Sequence, residues 1–220
     1  VSFGQMGNRT MNYVTGIDTP NINDFAAEGL SLMRMYTEPS CTPTRTAMLT
    51  GRHPIRAGVG EVKVALVGEG LSSEEVTIAE VLKQVGYNTA HVGKCHQGDV
   101  EQAYPHNQGF DWAAFPLHQQ VQLSLMTREA MEANNMLGFH STGQSNEFLM
   151  DERFKPYGLV TGVEGEAGGL AREVDMAPGE EWTQAKYEEM NERYQRQILE
   201  QLERLSGKDR PFFLQYWPLY

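Results

Sequence analysis

The chain has 220 residues, 40% hydrophobic and 21% charged, which is ordinary for a protein that buries a sizeable core in one domain. Its net charge is −11 with no basic block, which excludes the clustered phosphate contacts of a nucleic-acid binder but not a local site for a small anion. No run reaches the length of a membrane-spanning helix, Val1 opens without an initiator Met or apolar leader, and two cysteines, Cys41 and Cys95, make no disulfide framework.

Residues 1–16 are rich in Gly, Asn and Thr and read as a loop; Asn8-Arg9-Thr10 within it has the form of a glycosylation sequon, a pattern common by chance. Thr19 suits an N-cap and Pro20 the first helical position, with Ile22, Phe25 and Ala26 at helical spacing and Gly29 as the stop. Leu30 to Tyr36 reads as a strand delivering the chain to Cys41. The next stretch, Cys41-Thr42-Pro43-Thr44-Arg45-Thr46-Ala47-Met48-Leu49-Thr50-Gly51-Arg52, is where chemistry concentrates. Pro43 suits a first helical position, Thr44 to Leu49 continue the helix, and Gly51 suits a left-handed exit. Cys41 then stands at or just before the helix N-terminus, where orphan N–H groups and the dipole favour thiolate and attract oxyanions. Arg45, one turn on, shares that face and adds a planar cationic fork. On residue types alone, a small buried cysteine and a surface arginine explain the pattern as well.

His53 opens a Gly-rich passage to Gly70 and reads as a solvated loop residue. Thr77-Ile78-Ala79-Glu80 is a capping box, Ile78, Val81, Leu82 and Val85 form an apolar face, and Gly86 closes the helix. Tyr87 to Val92 is a β-rich run leading into Gly93-Lys94-Cys95-His96-Gln97-Gly98. Alternation along an extended segment would turn Lys94 and His96 the same way, as an oxyanion clamp and proton donor. Gly-Lys-x-His is weak taken alone. Gly109-Phe110-Asp111 reads as structural. Residues 116–180 read as a variable insertion that walls a substrate pocket, with a short helix from Met126 to Met136 and a loop from Tyr157 to Gly169; His118 and His140 are its candidates for substrate contact. Thr183 to Leu205 carries a helical stripe of Tyr187, Met190, Tyr194, Ile198, Leu202 and Leu205, and Pro211 to Trp217 reads as a central strand.

Cys41-x-Pro43-x-Arg45 followed by Leu49-Thr50-Gly51-Arg52 resembles the signature of the type I sulfatases, arylsulfatase-like members of the alkaline phosphatase superfamily. Thr19-Pro20-Asn21-Ile22 with Ala26-Ala27-Glu28-Gly29 resembles the segment upstream of that signature, and Gly93-Lys94-x-His96 resembles the family's second motif at the expected distance. The likeness is strongest over residues 17–115. It implies an α/β fold, a mostly parallel sheet flanked by helices, with this chain an N-terminal part of the catalytic domain truncated at both ends. It implies sulfate-ester hydrolysis, with Cys41 oxidised to formylglycine by a formylglycine-generating enzyme, the hydrate acting as nucleophile, Arg45 beside it, and Lys94 and His96 on the sulfate and the leaving oxygen. It also implies a divalent cation, Ca²⁺ in this family, with residue 41 among its ligands. The family's other metal ligands have no counterpart here, so the chain alone is expected to be inactive. The implied substrate is a sulfated small molecule or glycan, and the implied setting periplasmic or secreted. Cys95 and Gln97 depart from the aromatic and Leu that the family carries around the histidine, which bears on subfamily and pocket shape. Two alternatives remain open: a phosphonate or phosphate monoester hydrolase on the same scaffold, and a degenerate sulfatase-like protein that binds sulfated glycans.

Overall fold

The computed structural model describes residues 19–30, 32, 34–62, 68–117, 162–174, 180 and 183–218, in two compact units, Val1–Thr37 and Glu38–Tyr220. In the first unit, α1 spans Pro20–Ala27 with Thr19 as N-cap and Pro20 in the first position, as expected, and Glu28 as C-cap. The expected strand at Leu30 to Tyr36 does not form: its described residues are irregular. A strand needs a ladder to join. None of the sheet's ladders includes a described residue of this stretch.

The second unit is built on a five-stranded sheet in the order β4-β3-β2-β1-β5. β1 is Asn88–Gly93, β2 Trp112–Phe115, β3 Val163–Glu166, β4 Arg172–Glu173 and β5 Phe212–Trp217. β1 runs parallel to both β2 and β5, from Asn88 opposite Phe212 to Gly93 opposite Trp217, while β3 and β4 extend the sheet antiparallel. The class is therefore α/β, with a parallel core and an antiparallel flank. β5, expected in the centre, lies at the end of the described sheet and is only half-buried along most of its length. β3 falls where a loop was expected. Its Gly165 argued for a loop, but the glycine is there because the His106 ring lies against it and leaves no room for a Cβ.

Three helices of this unit matter for the site. α2 is Cys41–Thr50, α3 is Ile78–Gln84 and α4 is Gln184–Ser206. α4 starts at Thr183, whose hydroxyl accepts from the Lys186 N–H, and packs on β1, β2 and β5. Its stripe buries Met190, Tyr194 and Leu205, half-buries Tyr187 and Ile198, and leaves Leu202 exposed. α3 has the full capping box: Thr77 Oγ1 accepts from the Glu80 N–H, and Glu80 Oε2 accepts from the Thr77 N–H. Its inward face is not the expected one. Ala79 is buried beside Leu49 and Phe110, whereas Ile78, Val81 and Val85 are exposed. The helix sits too close to the neighbouring chain for large side chains: a Cβ on Gly109 would lie 2.5 Å from the Glu80 nitrogen. Gly109-Phe110-Asp111 is structural, as read. Phe110 is core, and Asp111 accepts from the Thr89 N–H at 3.0 Å and pairs with Lys83 at 2.6 Å.

Candidate active site

α2 begins two residues earlier than its sequence suggests. Ser40 is the extended N-cap, Cys41 the first helical residue and Pro43 the third. Pro43 costs nothing there, because the first four N–H groups of a helix lack an intrahelical acceptor. Gly51 ends the helix at φ 65, the predicted left-handed exit. Thr44 hydroxyl bonds the Glu38 carbonyl at 2.8 Å and so fixes the entry.

The second piece is the loop leaving β1. The strand ends at Gly93, so alternation does not govern Lys94 and His96, contrary to expectation; the turn of the loop does. Gly93 sits at φ 100 against the Trp217 carbonyl, where any Cβ would collide. Beyond it, three successive N–H groups are spoken for: Lys94 donates to Trp217 (2.9 Å), Cys95 to Pro116 (3.1 Å) and His96 to Leu117 (2.9 Å). His96 holds φ 56, the only non-glycine with positive φ among the described residues.

These two pieces meet at the thiol. Lys94 is only 6% exposed and lies close enough to Cys41 and Arg45 for both to act on its charge. Burial, followed by the nearby Arg45 charge, pulls its ammonium below the ordinary 10.5, and Cys41 partly offsets this. Arg45 Nη1 donates to the Lys94 carbonyl at 2.8 Å, and its guanidinium lies 4.2 Å over the Trp217 ring. Burial lowers its pKa to about 10, with Cys95 and Cys41 opposing, so it stays charged at neutral pH. The structure thus brings Cys41, Arg45 and Lys94 together. His96, 3% exposed, is held two residues further along the same loop. Arg45 spends one N–H and one face on the protein itself, which sequence reasoning did not anticipate. Pro39, Thr44, Met48 and Trp217 line the opening beside Cys41, with Glu38 among them.

The floor behind the site is polar and buried. His91 Nε2 donates to the Gly93 carbonyl at 2.9 Å, which leaves Nδ1 as acceptor, 3.1 Å from the Gln215 amide. That arrangement requires the amide to present its NH₂. Burial lowers the His91 pKa to about 4, so the ring is neutral. Cys95, 1% exposed, is pushed up to about 12 by burial and is inert beside Cys41; both thiols are free.

A model of the sulfatase family matches residues 2–219. The chain belongs to the sulfatase family. Over 121 residues it is 41% identical to the steryl-sulfatase of Rattus norvegicus, covering 49% of this chain and 20% of that protein. It is 40% identical over 114 residues to the arylsulfatase G of Mus musculus, covering 51% and 21%. Among solved structures it resembles the PsFucS1 sulfatase of Pseudoalteromonas sp. at TM-score 0.71 and 28% identity, over 90% of this chain and 37% of that one. The chain therefore spans about a fifth of the length of the curated relatives it matches.

In this sulfatase-family chain the implied metal finds no cage. No three His, Cys, Asp or Glu side chains converge among the described residues, and the groups beside Cys41 are the cations Lys94 and Arg45. The described residues do not fit a calcium centre. His53 is exposed, 3.6 Å from Glu38. His118 and His140 lie outside the described residues. The residues that sequence reasoning missed are Trp217, Thr46, Gln97 and Gln215. A glutamine in the middle of an apolar strand, as at 215, is the one signal that pointed inward.

Proposed function

We propose that this chain carries part of the catalytic centre of a sulfuric-ester hydrolase, with Cys41 converted to formylglycine. The observation that carries the reading is the hydrogen bond from Arg45 to the Lys94 carbonyl at 2.8 Å, which holds the Lys94 loop against the helix that carries Cys41, so that two basic groups flank one reactive position. As formylglycine hydrate, residue 41 supplies one hydroxyl to attack sulfur and a second whose deprotonation expels sulfate. An ordinary Cys or Ser ester lacks that second hydroxyl.

The chain's own residues prepare the attack. Lys94 places its ammonium against the group on residue 41, beside the oxygens of a bound sulfate, where charge builds in the transition state. Its burial strengthens that interaction by excluding water. Arg45 holds Lys94 from behind and adds a fixed charge; Trp217 fixes the guanidinium plane. His96 is proposed to protonate the leaving alcohol oxygen. Its positive φ supports an assigned role, because a non-glycine residue is kept in that region only where the surroundings over-determine it. Ca²⁺ belongs to the family expectation; the described residues offer it residue 41 alone, and no step here passes through it. The proposed partners are a sulfated small molecule or glycan as substrate and a formylglycine-generating enzyme during maturation.

The test is co-expression of the whole protein with the maturation enzyme, mass spectrometry of the Cys41 peptide, and turnover of an aryl sulfate beside an aryl phosphonate ester. The expected result is an aldehyde in place of the thiol, faster sulfate than phosphonate hydrolysis, and loss of both in Cys41→Ala. Sulfate turnover by protein whose Cys41 is wholly unmodified would overturn the formylglycine role.

A further inference from the structure

Gln97 is used by neither the proposed chemistry nor the family pattern, yet it is 2% exposed and fully engaged. Its Nε2 donates to the His96 carbonyl at 2.9 Å and to the Thr42 carbonyl, in the first turn of α2, at 3.3 Å. Its Oε1 accepts from the Thr46 hydroxyl, one turn further along that helix, at 2.8 Å. The opposite amide orientation would set Oε1 against two carbonyl oxygens, so the neighbours fix it. Thr46 has one hydroxyl proton and two acceptors in reach, Gln97 Oε1 and the Thr42 carbonyl at 2.9 Å. Giving the proton to Gln97 loses nothing, because the Thr42 carbonyl then takes the Gln97 N–H. The Gln97 backbone adds a third tie, its carbonyl accepting from the Leu71 N–H at 2.8 Å.

Resting on the sulfate-ester reading above, we infer that Gln97 is a positioning residue. Its side chain sets the register of the Cys41 helix against the Lys94–His96 loop by bonding Thr42 and Thr46 on one side and the His96 carbonyl on the other. This is a side-chain bond across 51 residues of sequence, between the helix that carries the proposed nucleophile and the loop that carries the proposed acid. A leucine fills a similar volume and abolishes all three side-chain bonds, leaving packing alone to align the two pieces.

The experiment compares the whole protein with Gln97→Leu, Thr46→Val and the double variant. It reads kcat and KM on an aryl sulfate, and amide hydrogen exchange of segments 41–46 and 94–98. Gln97→Leu is expected to lower kcat by about tenfold or more with KM within about twofold, since sub-ångström misplacement of reacting groups acts on kcat. Exchange in both segments is expected to rise by about tenfold without a matching rise in α4. Thr46→Val should give a smaller loss, and the double variant should be no worse than Gln97→Leu alone, because the two groups share one bond. Wild-type kcat and exchange in Gln97→Leu would overturn the inference, as would a loss confined to KM or additive effects in the double variant. If Gln97→Leu does not fold, Thr46→Val decides by the same readouts. A wild-type protein that hydrolyses no sulfate ester would sink the functional reading, and the exchange of the two segments would still settle the coupling.

Discussion

Acidification is expected to remove about 3 kcal/mol of stability through His91 alone as pH falls from 6.5 to about 4. In the unfolded chain this histidine takes a proton near 6.5; in the folded protein it refuses one until about 4, because the ring is buried and its Nε2–H is committed to the Gly93 carbonyl. Across that window the unfolded state binds more protons, so stability rises with pH, is level above 6.5 and is level again below about 4. The gap of about 2.5 at 1.36 kcal/mol each, less the half-protonation at the lower bound, gives the figure. Urea unfolding followed by tryptophan fluorescence should show the wild-type midpoint falling by about 1.5 M between these limits, for a urea dependence of about 2 kcal/mol/M. In His91→Gln that slope should largely vanish, although the variant starts less stable at neutral pH. Asp111 titrates elsewhere: burial pushes its carboxyl up, but Lys83 and the Thr89 N–H together hold it below 3.8. An undiminished slope between pH 4 and 6.5 in His91→Gln would refute the reasoning and place the acid sensitivity in other groups.

Gly93→Ala should cost at least about 2 kcal/mol, since it forces a Cβ at φ 100 into the Trp217 carbonyl, and chemical denaturation measures it. Arg45→Lys keeps the charge but loses the fork that reaches the Lys94 carbonyl and the flat face over Trp217; kcat/KM on a sulfate ester should fall about 10- to 100-fold while the fold persists by circular dichroism. In protein with unmodified Cys41, an alkylating reagent at mild alkaline pH should label Cys41 and spare Cys95 until urea unfolds the chain, as intact-mass measurement would show. Thr77→Ala removes half the capping box and the bond from its hydroxyl to the Gln108 carbonyl, and should cost about 1–2 kcal/mol by the same denaturation assay.

The local signals in the sequence were reliable. The left-handed exit at Gly51, the capping box from Thr77 to Glu80 and the stripe of α4 each follow from chemistry within one or two turns, and the structure has them, although α2 starts two residues before Pro43. What failed was long-range. Leu30 to Tyr36 has strand composition, but a strand exists only with a partner, and no ladder of the sheet includes a described residue of this stretch. The apolar face of α3 was misjudged because close approach to the Gly109 turn selects Ala79, the smallest residue, as the inward one. At the site, the two motifs were visible as residue types, and so was the idea that they converge. Their connection was not. It runs through Trp217 and Gln97, whose roles depend on which atoms lie opposite them in space.

Trp217 has a consequence for how the centre is assembled in time. Its carbonyl receives the Lys94 N–H, its ring carries Arg45, and its backbone fills the space that Gly93 leaves. On the ribosome it follows Lys94 by 123 residues (217 minus 94), roughly 6–25 s of synthesis at about 5–20 residues per second. Throughout that interval the nascent chain holds both motifs and the Gln97 bonds between them, but lacks the Trp217 contacts that seat Arg45 and Lys94. β5 supplies those contacts, so a translational stall before Phe212 leaves Arg45 without its aromatic face and the Lys94 N–H without its acceptor.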